Sequence, residues 1–214
     1  EVLSSGRSIR TKIIDGVERL EYEICNRLVV EGSHDSNITI RSHTDSTIEI
    51  SGNPAKFLQG HNIFGTDDLT YLMGRFFDAL LKHEELGLHP TDVQYEDIQA
   101  GRYTLKRVDI NLSWHLKNRE EVLAWIRSAG SCARLKHRGA GQYAGDTLYF
   151  GKNSRRWSVK CYSKGNEISA KKHELPKELQ IPELIEWAEK ALRLELVLRS
   201  MQLKDMLLHI GSHW

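Results

Sequence analysis

Tyr162 stands between two lysines, Lys160 and Lys164, in the stretch WSVKCYSKG. A phenol titrates near 10, so it attacks poorly unless its proton is removed or its anion is stabilised. Cations beside it do the second and can also hold a phosphate. Asp109 in RVDIN and Glu195 in LRLEL are acids of the kind that bind a hard divalent cation through oxygen. A tyrosine, two or three acidic or histidine ligands and nearby cations are what attack by a phenol on phosphorus requires. One further stretch, NPAKFLQGHNIFGTDDL at 53–69, gathers Lys56, Gln59, His61 and Asn62 around Gly60. Here a neutral imidazole could add a ligand or simply fix its loop, and Gly60 suits a positive φ or a close backbone approach.

Strand alternation must bring these groups together, because successive side chains point to opposite faces. In RVDINL, Val108, Ile110 and Leu112 are expected on the core face, with Arg107, Asp109 and Asn111 opposite. In LRLELVLR the even-numbered leucines 192–198 point inward and Arg193, Glu195 and Arg199 outward. Trp157, Val159 and Cys161 alternate with Lys160, Tyr162 and Lys164, and in STIEIS Glu49 opposes Ile48 and Ile50. Four strands thus present acids, bases and a tyrosine on their outer faces. A merely solvated outer face is common in antiparallel sheets, and that reading stays open.

The rest of the chain supplies the frame. RLEYEI, NRLVVEG, NITIRSH and STIEIS alternate as strands. DDLTYLMGRFFDALLKHEEL has helical periodicity, with Asp67 or Asp68 at its start. A second helix is expected from Asn118, closed by Gly130. DTLYFGKNSRRWSVKCYSKG predicts a hairpin turning at 152–154. Helices are expected over NEISAKKHEL, PELIEWAEKAL and MQLKDMLLHIG, the last after strand LRLELVLRS. Trp114, Trp125 and Trp187 have core-like spacing. The fold class is α+β, a central antiparallel sheet with helices on one face, in a single domain over 1–214.

Net charge is +1, yet from Lys152 to Lys172 there are seven Lys/Arg and one acid, a strip suited to nucleic acid. Three cysteines without CxxC spacing oppose a disulfide framework or a zinc site and fit a reducing cytoplasm. No apolar run approaches the length of a membrane span. The chain lacks an initiator Met, so its first element is expected to be incomplete.

GNPAKFLQGHNIFGTDDL closely resembles a segment of the replication initiators of filamentous phages, the gene II and gene X protein family. RVDIN, SRRWSVKCYSKGNE and LRLELVLRS resemble the same family in the same order, so the likeness spans Glu49 to Arg199. It implies a divergent HUH (Rep-like) tyrosine nickase that initiates rolling-circle replication. Such a protein cuts the origin strand, stays linked to the 5′ phosphate through tyrosine and later rejoins the displaced strand. Carried over, Tyr162 is the nucleophile, with Tyr149 as rival, and Lys164 stabilises the phenolate or grips the phosphate. Asp109, Glu195 and His61 would hold Mg²⁺ or Mn²⁺. Lys56, Gln59, Asn62, Arg155, Arg156 and Lys160 would contact DNA, while Glu49 is either a further ligand or, by preference, the partner of a nearby lysine. Tyrosine nickases usually carry His-x-His; here Asp-Ile-Asn at 109–111 takes a comparable place. The resemblance further implies single-stranded origin DNA, host helicase and polymerase as partners, the bacterial cytoplasm as location, no membrane, and a chain lacking the family's extreme N-terminus and C-terminal region. A non-catalytic origin-binding module and a hydrolytic metal nuclease are the alternatives.

Overall fold

The computed structural model describes residues 7–44, 47–170 and 174–210. The chain, expected to be one nicking domain, clusters into two compact units, 1–103 and 104–214.

The first unit begins with a hairpin of β1 (Arg7–Ile14) and β2 (Val17–Cys25). A three-stranded antiparallel sheet follows, β3 (Leu28–Glu31), β4 (Asn37–Thr44) and β5 (Thr47–Ser51), with β4 central. Against it pack α1 (Pro54–Gln59) and α2 (Leu69–Leu80), and α3 (Asp92–Gln99) lies beyond. Val30, Ile38, Ile40, Phe57, Phe76, Phe77 and Leu80 form the core, with Phe57 and Phe76 edge to face at 5.2 Å. Asp68, the second of the two aspartates, caps α2 by accepting from the Tyr71 N–H at 2.9 Å. Glu49 is paired, as expected, and the pair is with Arg41 at 2.7 Å.

The second unit is built on a five-stranded antiparallel sheet. Its strands are β6 (Arg107–His115), β9 (Gln142–Ala144), β10 (Thr147–Phe150), β11 (Trp157–Ser163) and β12 (Ala191–Arg199), in spatial order β6-β12-β11-β10-β9. A small ribbon of β7 (Arg134–Leu135) and β8 (Gly139–Ala140) precedes β9. Its helices are α4 (Arg119–Cys132), α5 (Lys164–Ser169), α6 (Pro182–Glu189) and α7 (Ser200–Ile210). Val122 and Ile126 of α4 pack on Leu148, Phe150, Cys161 and Leu192 to make the core. The α+β class therefore holds, with antiparallel pairing in every sheet.

Three expectations shift. Helix α4 does not close at Gly130 but runs to Cys132, and the Tyr143 hydroxyl reaches over to donate to the Ile126 carbonyl at 3.0 Å. Ile110, Leu112 and Trp114, expected in the core from alternation, are 45%, 57% and 47% exposed, because β6 is an edge strand and α4 packs further along the sheet. Trp125 is also exposed, on the outer side of α4. Strand β12, by contrast, lies inside the sheet between β6 and β11 and is buried on both faces, Arg193 and Glu195 included. No helix among the described residues is long and apolar enough to cross a membrane.

Candidate active site

Register brings the sequence-predicted polar residues of the second unit onto one sheet face. Directly opposed residues in antiparallel strands share a face, and Asn111, Glu195, Lys160, Tyr149 and Gln142 lie opposite one another in turn. One row therefore crosses all five strands. The next row sets Tyr162 beside Arg193, and Asp109 stands on the same face of β6, diagonal to Glu195.

The side chains close this pattern into a cluster. The Tyr162 hydroxyl donates to Glu195 Oε2 at 3.3 Å, and Lys160 Nζ donates to Glu195 Oε1 at 2.8 Å. Asp109 is gripped by both arms of Arg107, Nε at 2.7 Å and Nη2 at 2.6 Å. Burial raises the Glu195 carboxyl, a hydrogen bond to Asp109 raises it further, and Lys160 offsets only part. Burial also works to raise Asp109, but the Arg107 bonds, the Glu195 bond and the charges of Arg107 and Lys160 outweigh it, so Asp109 ends below the ordinary value. The surroundings therefore push the two acids apart, Glu195 upward and Asp109 downward.

Tyr162 is only 9% exposed. Burial, then the charges of Glu167 and Glu195, push its phenol far above the usual range, and Arg193 works the other way. Tyr149 is half-buried on the same face, with Lys152 Nζ 5.2 Å from its ring centroid.

Lys164 departs from its expected place. Ser163 ends β11 and caps α5, its hydroxyl accepting from the Asn166 N–H at 3.3 Å, so Lys164 is helical rather than two steps along a strand. It is fully buried and bonds to Glu167 Oε2 at 2.5 Å. Burial holds its pKa below that of an ordinary lysine. Of the residues expected on DNA, Lys160 is committed to Glu195 and Arg156 to Asp205, while Arg155 is exposed.

The opening motif lies in the first unit and is not the open loop that its donors suggest. Asn53 caps α1, accepting from the Lys56 N–H at 3.0 Å; Pro54 takes the first turn; Gly60 ends the helix at φ +78°. The Gln59 amide donates to the carbonyls of Phe64 at 2.8 Å and His61 at 3.2 Å, so it ties the following turn together. His61 is buried, and its Nδ1 accepts from the Ile63 N–H at 3.3 Å. That contact holds the ring within its loop. Lys56 and Asn62 flank it, each half-buried. Among the described residues no three His, Cys, Asp or Glu side chains converge as a metal-binding group.

Comparison with known proteins decides what this architecture belongs to. Residues 6–214 match the family described as the N-terminal part of the gene II replication-associated protein. The chain belongs to that family. The replication-associated protein of Enterobacteria phage I2-2 is 40% identical over 203 residues, 91% of this chain and 58% of that protein. The replication-associated proteins of Enterobacteria phages M13 and fd are each 27% identical over 218 residues, 87% of this chain and 51% of theirs. The chain therefore spans a little over half the length of the curated relatives it matches. No solved structure matches it. Membership joins the chain to phage replication proteins and bears out the resemblance carried by the opening motif and the three strand segments.

Proposed function

We propose that this chain carries the strand-nicking and strand-transfer chemistry of a rolling-circle initiator. The single observation that carries the reading is the Tyr162 hydroxyl bonded to Glu195, on a sheet face lined with Lys160, Asp109 and Arg107. A phenol whose proton is already directed at a carboxylate has the base that a tyrosine nucleophile needs.

In this mechanism a single or locally melted origin strand lies across the polar face. The Tyr162 oxygen bonds to phosphorus as the bond from phosphorus to the 3′ oxygen breaks. The phenol proton passes to Glu195, and the departing oxygen takes a proton from solvent to become a 3′-hydroxyl. One phosphodiester is exchanged for another, so the link can be returned to a 3′-hydroxyl without ATP. Lys160 orients Glu195, Arg107 fixes Asp109, and Lys164 acts from within α5 through Glu167 rather than on the phosphate.

Asp109 and Glu195, acids on one sheet face, would hold a divalent cation, Mg²⁺ or Mn²⁺, in exchange for contacts to Arg107 and Lys160, with water filling its remaining shell. Bound there, it would supply charge to the non-bridging phosphate oxygens. Host helicase and polymerase, and a cytoplasmic site of action, follow from the same reading.

A second assignment is favoured by one observation: Tyr149 is more open than Tyr162 and faces Lys160 directly across the strands. The test is a labelled single-stranded origin oligonucleotide incubated with the chain and Mn²⁺ and resolved on a denaturing gel. A protein–DNA adduct lost in Tyr162→Phe supports the nickase as written. Loss only in Tyr149→Phe moves the nucleophile. Free fragments without adduct indicate a hydrolase, and binding without cleavage an origin-recognition module.

A further inference from the structure

In the second unit lies a cavity of about 280 Å³ between the β7–β8 turn and the turn joining β10 to β11. It is lined by His137, Arg138, Gln142, Lys152, Asn153 and Ser154, with Ala140 and Gly151, and by no acid. The surrounding sequence from 133 to 164 has eight Lys/Arg against Asp146 alone. The volume is near the lower end for small-ligand sites.

Arg138 is held rather than loose. Its guanidinium lies 4.1 Å from the Trp157 ring centroid, and its Nη1 donates to the His137 carbonyl at 2.9 Å. Gly151, at φ +68°, lets it in: a Cβ there would stand 2.3 Å from Arg138 Cδ and 2.8 Å from Nε. The Arg138 Nε is buried and has no hydrogen-bond partner among the described residues. A buried cationic donor left unpaired is costly and calls for an explanation. His137 holds φ +62°, a conformation that non-glycine residues adopt at a cost. A guanidinium held in place by its ring contact, a lysine, and amide and hydroxyl groups in one acid-free hollow suit a phosphate carrying an organic group.

The position ties this hollow to the chemistry. Gln142, in its lining, is the end member of the row that runs through Tyr149 and Lys160 to Glu195. From β9 to β11 is two strand spacings, about 10 Å. Lys152, also in the lining, reaches over the Tyr149 ring.

We propose that this cavity is a subsite for one nucleotide of the bound DNA strand, flanking the scissile link, with its phosphate on Arg138 and Lys152. The inference rests on the nicking reading above and adds the place where the strand is held beside the cluster. The test measures affinity for a fluorescent single-stranded oligonucleotide against salt, for the wild type, Lys152→Ala, Arg138→Gln and the exposed-lysine control Lys177→Ala. Lys152→Ala is expected to weaken binding several-fold and to reduce the slope of log K on log salt by about 0.7, one phosphate contact on a single strand. Lys177→Ala is expected to match the wild type. Because Arg138→Gln could disturb Trp157, Lys152→Ala decides on its own. Equal affinity and slope in Lys152→Ala, Lys177→Ala and a DNA-binding wild type overturn the subsite and leave the nickase standing. A wild type that neither binds nor cuts single-stranded DNA overturns both.

Discussion

Tyr162 and Glu195 meet across neighbouring strands, hydroxyl to carboxylate at 3.3 Å, diagonal to one another rather than in direct register. The bond joins a phenol that burial pushes far above its usual range to the acid whose proton affinity is raised by burial and by a second acid. Catalysis on this face would depend on moving one proton along that bond.

Removing the acceptor should stop the transfer. Glu195→Gln keeps the shape and loses the base, and single-turnover adduct formation is expected to fall by about 10² to 10⁴. In the wild type, the rate should climb with pH through a limb lying above the ordinary glutamate value of 4.5, since Glu195 must be ionised to accept. That limb should vanish in Glu195→Gln.

The same acids make opposite marks on stability. Glu195 has a raised folded value, so its contribution is fully present below 4.5 and is lost as pH rises through the folded value. Asp109 has a lowered one, so its contribution is present above 3.8 and is lost as pH falls. Thermal unfolding should show Glu195→Gln gaining on the wild type from about pH 4 to pH 7. Asp109→Asn should show its largest deficit at neutral pH, shrinking as the solution is acidified below 3.8.

Lys164 and Glu167 form a pair with one end wholly out of water. Lys164→Met should destabilise the chain by about 3 kcal/mol, because a partly buried carboxylate loses its counter-charge. A double-mutant cycle with Glu167→Gln in urea unfolding should return a coupling of about 1 kcal/mol or more. Additive effects would mean that the pair does not hold α5 in place.

Gly60 ends α1 in the left-handed region. Gly60→Ala should cost about 1–2 kcal/mol in chemical unfolding, the penalty of placing a Cβ in that conformation. Gly60→Asn should cost less, since asparagine tolerates it better.

Two thiols should differ sharply in reactivity. Burial raises Cys161 to about 12, whereas Cys132 is exposed at the end of α4. Peptide mapping after iodoacetamide treatment of the native protein should find Cys132 modified and Cys161 protected until unfolding.

Much of this is legible in the residues. Alternation puts Asp109, Glu195, Lys160 and Tyr162 on one face, and that inference needs only the period of a strand. It fails where the period changes or an unseen neighbour intervenes. Lys164 lies past the point where Ser163 turns the chain into a helix, although a serine three residues ahead of Asn166 is a recognisable cap. Ile110, Leu112 and Trp114 escape the rule because alternation identifies a face but cannot say that a strand lies at a sheet's edge. Helix α1 is masked by its donors, yet Asn53, Pro54 and Gly60 are a start, a first turn and a stop in order. The cavity beside Arg138 has no signal beyond excess positive charge, because it depends on two turns meeting in space.

The five-membered row from Asn111 to Gln142 takes one residue from every strand of the larger sheet. A slip of one position in any strand would turn its member to the opposite side. Its parts lie as far apart in the chain as 107–115 and 191–199, which are themselves adjacent in space. A proteolytic fragment lacking either segment cannot carry the row. During folding it can be completed only after that distant pairing forms, so nicking competence should emerge late and all at once rather than growing with helix content.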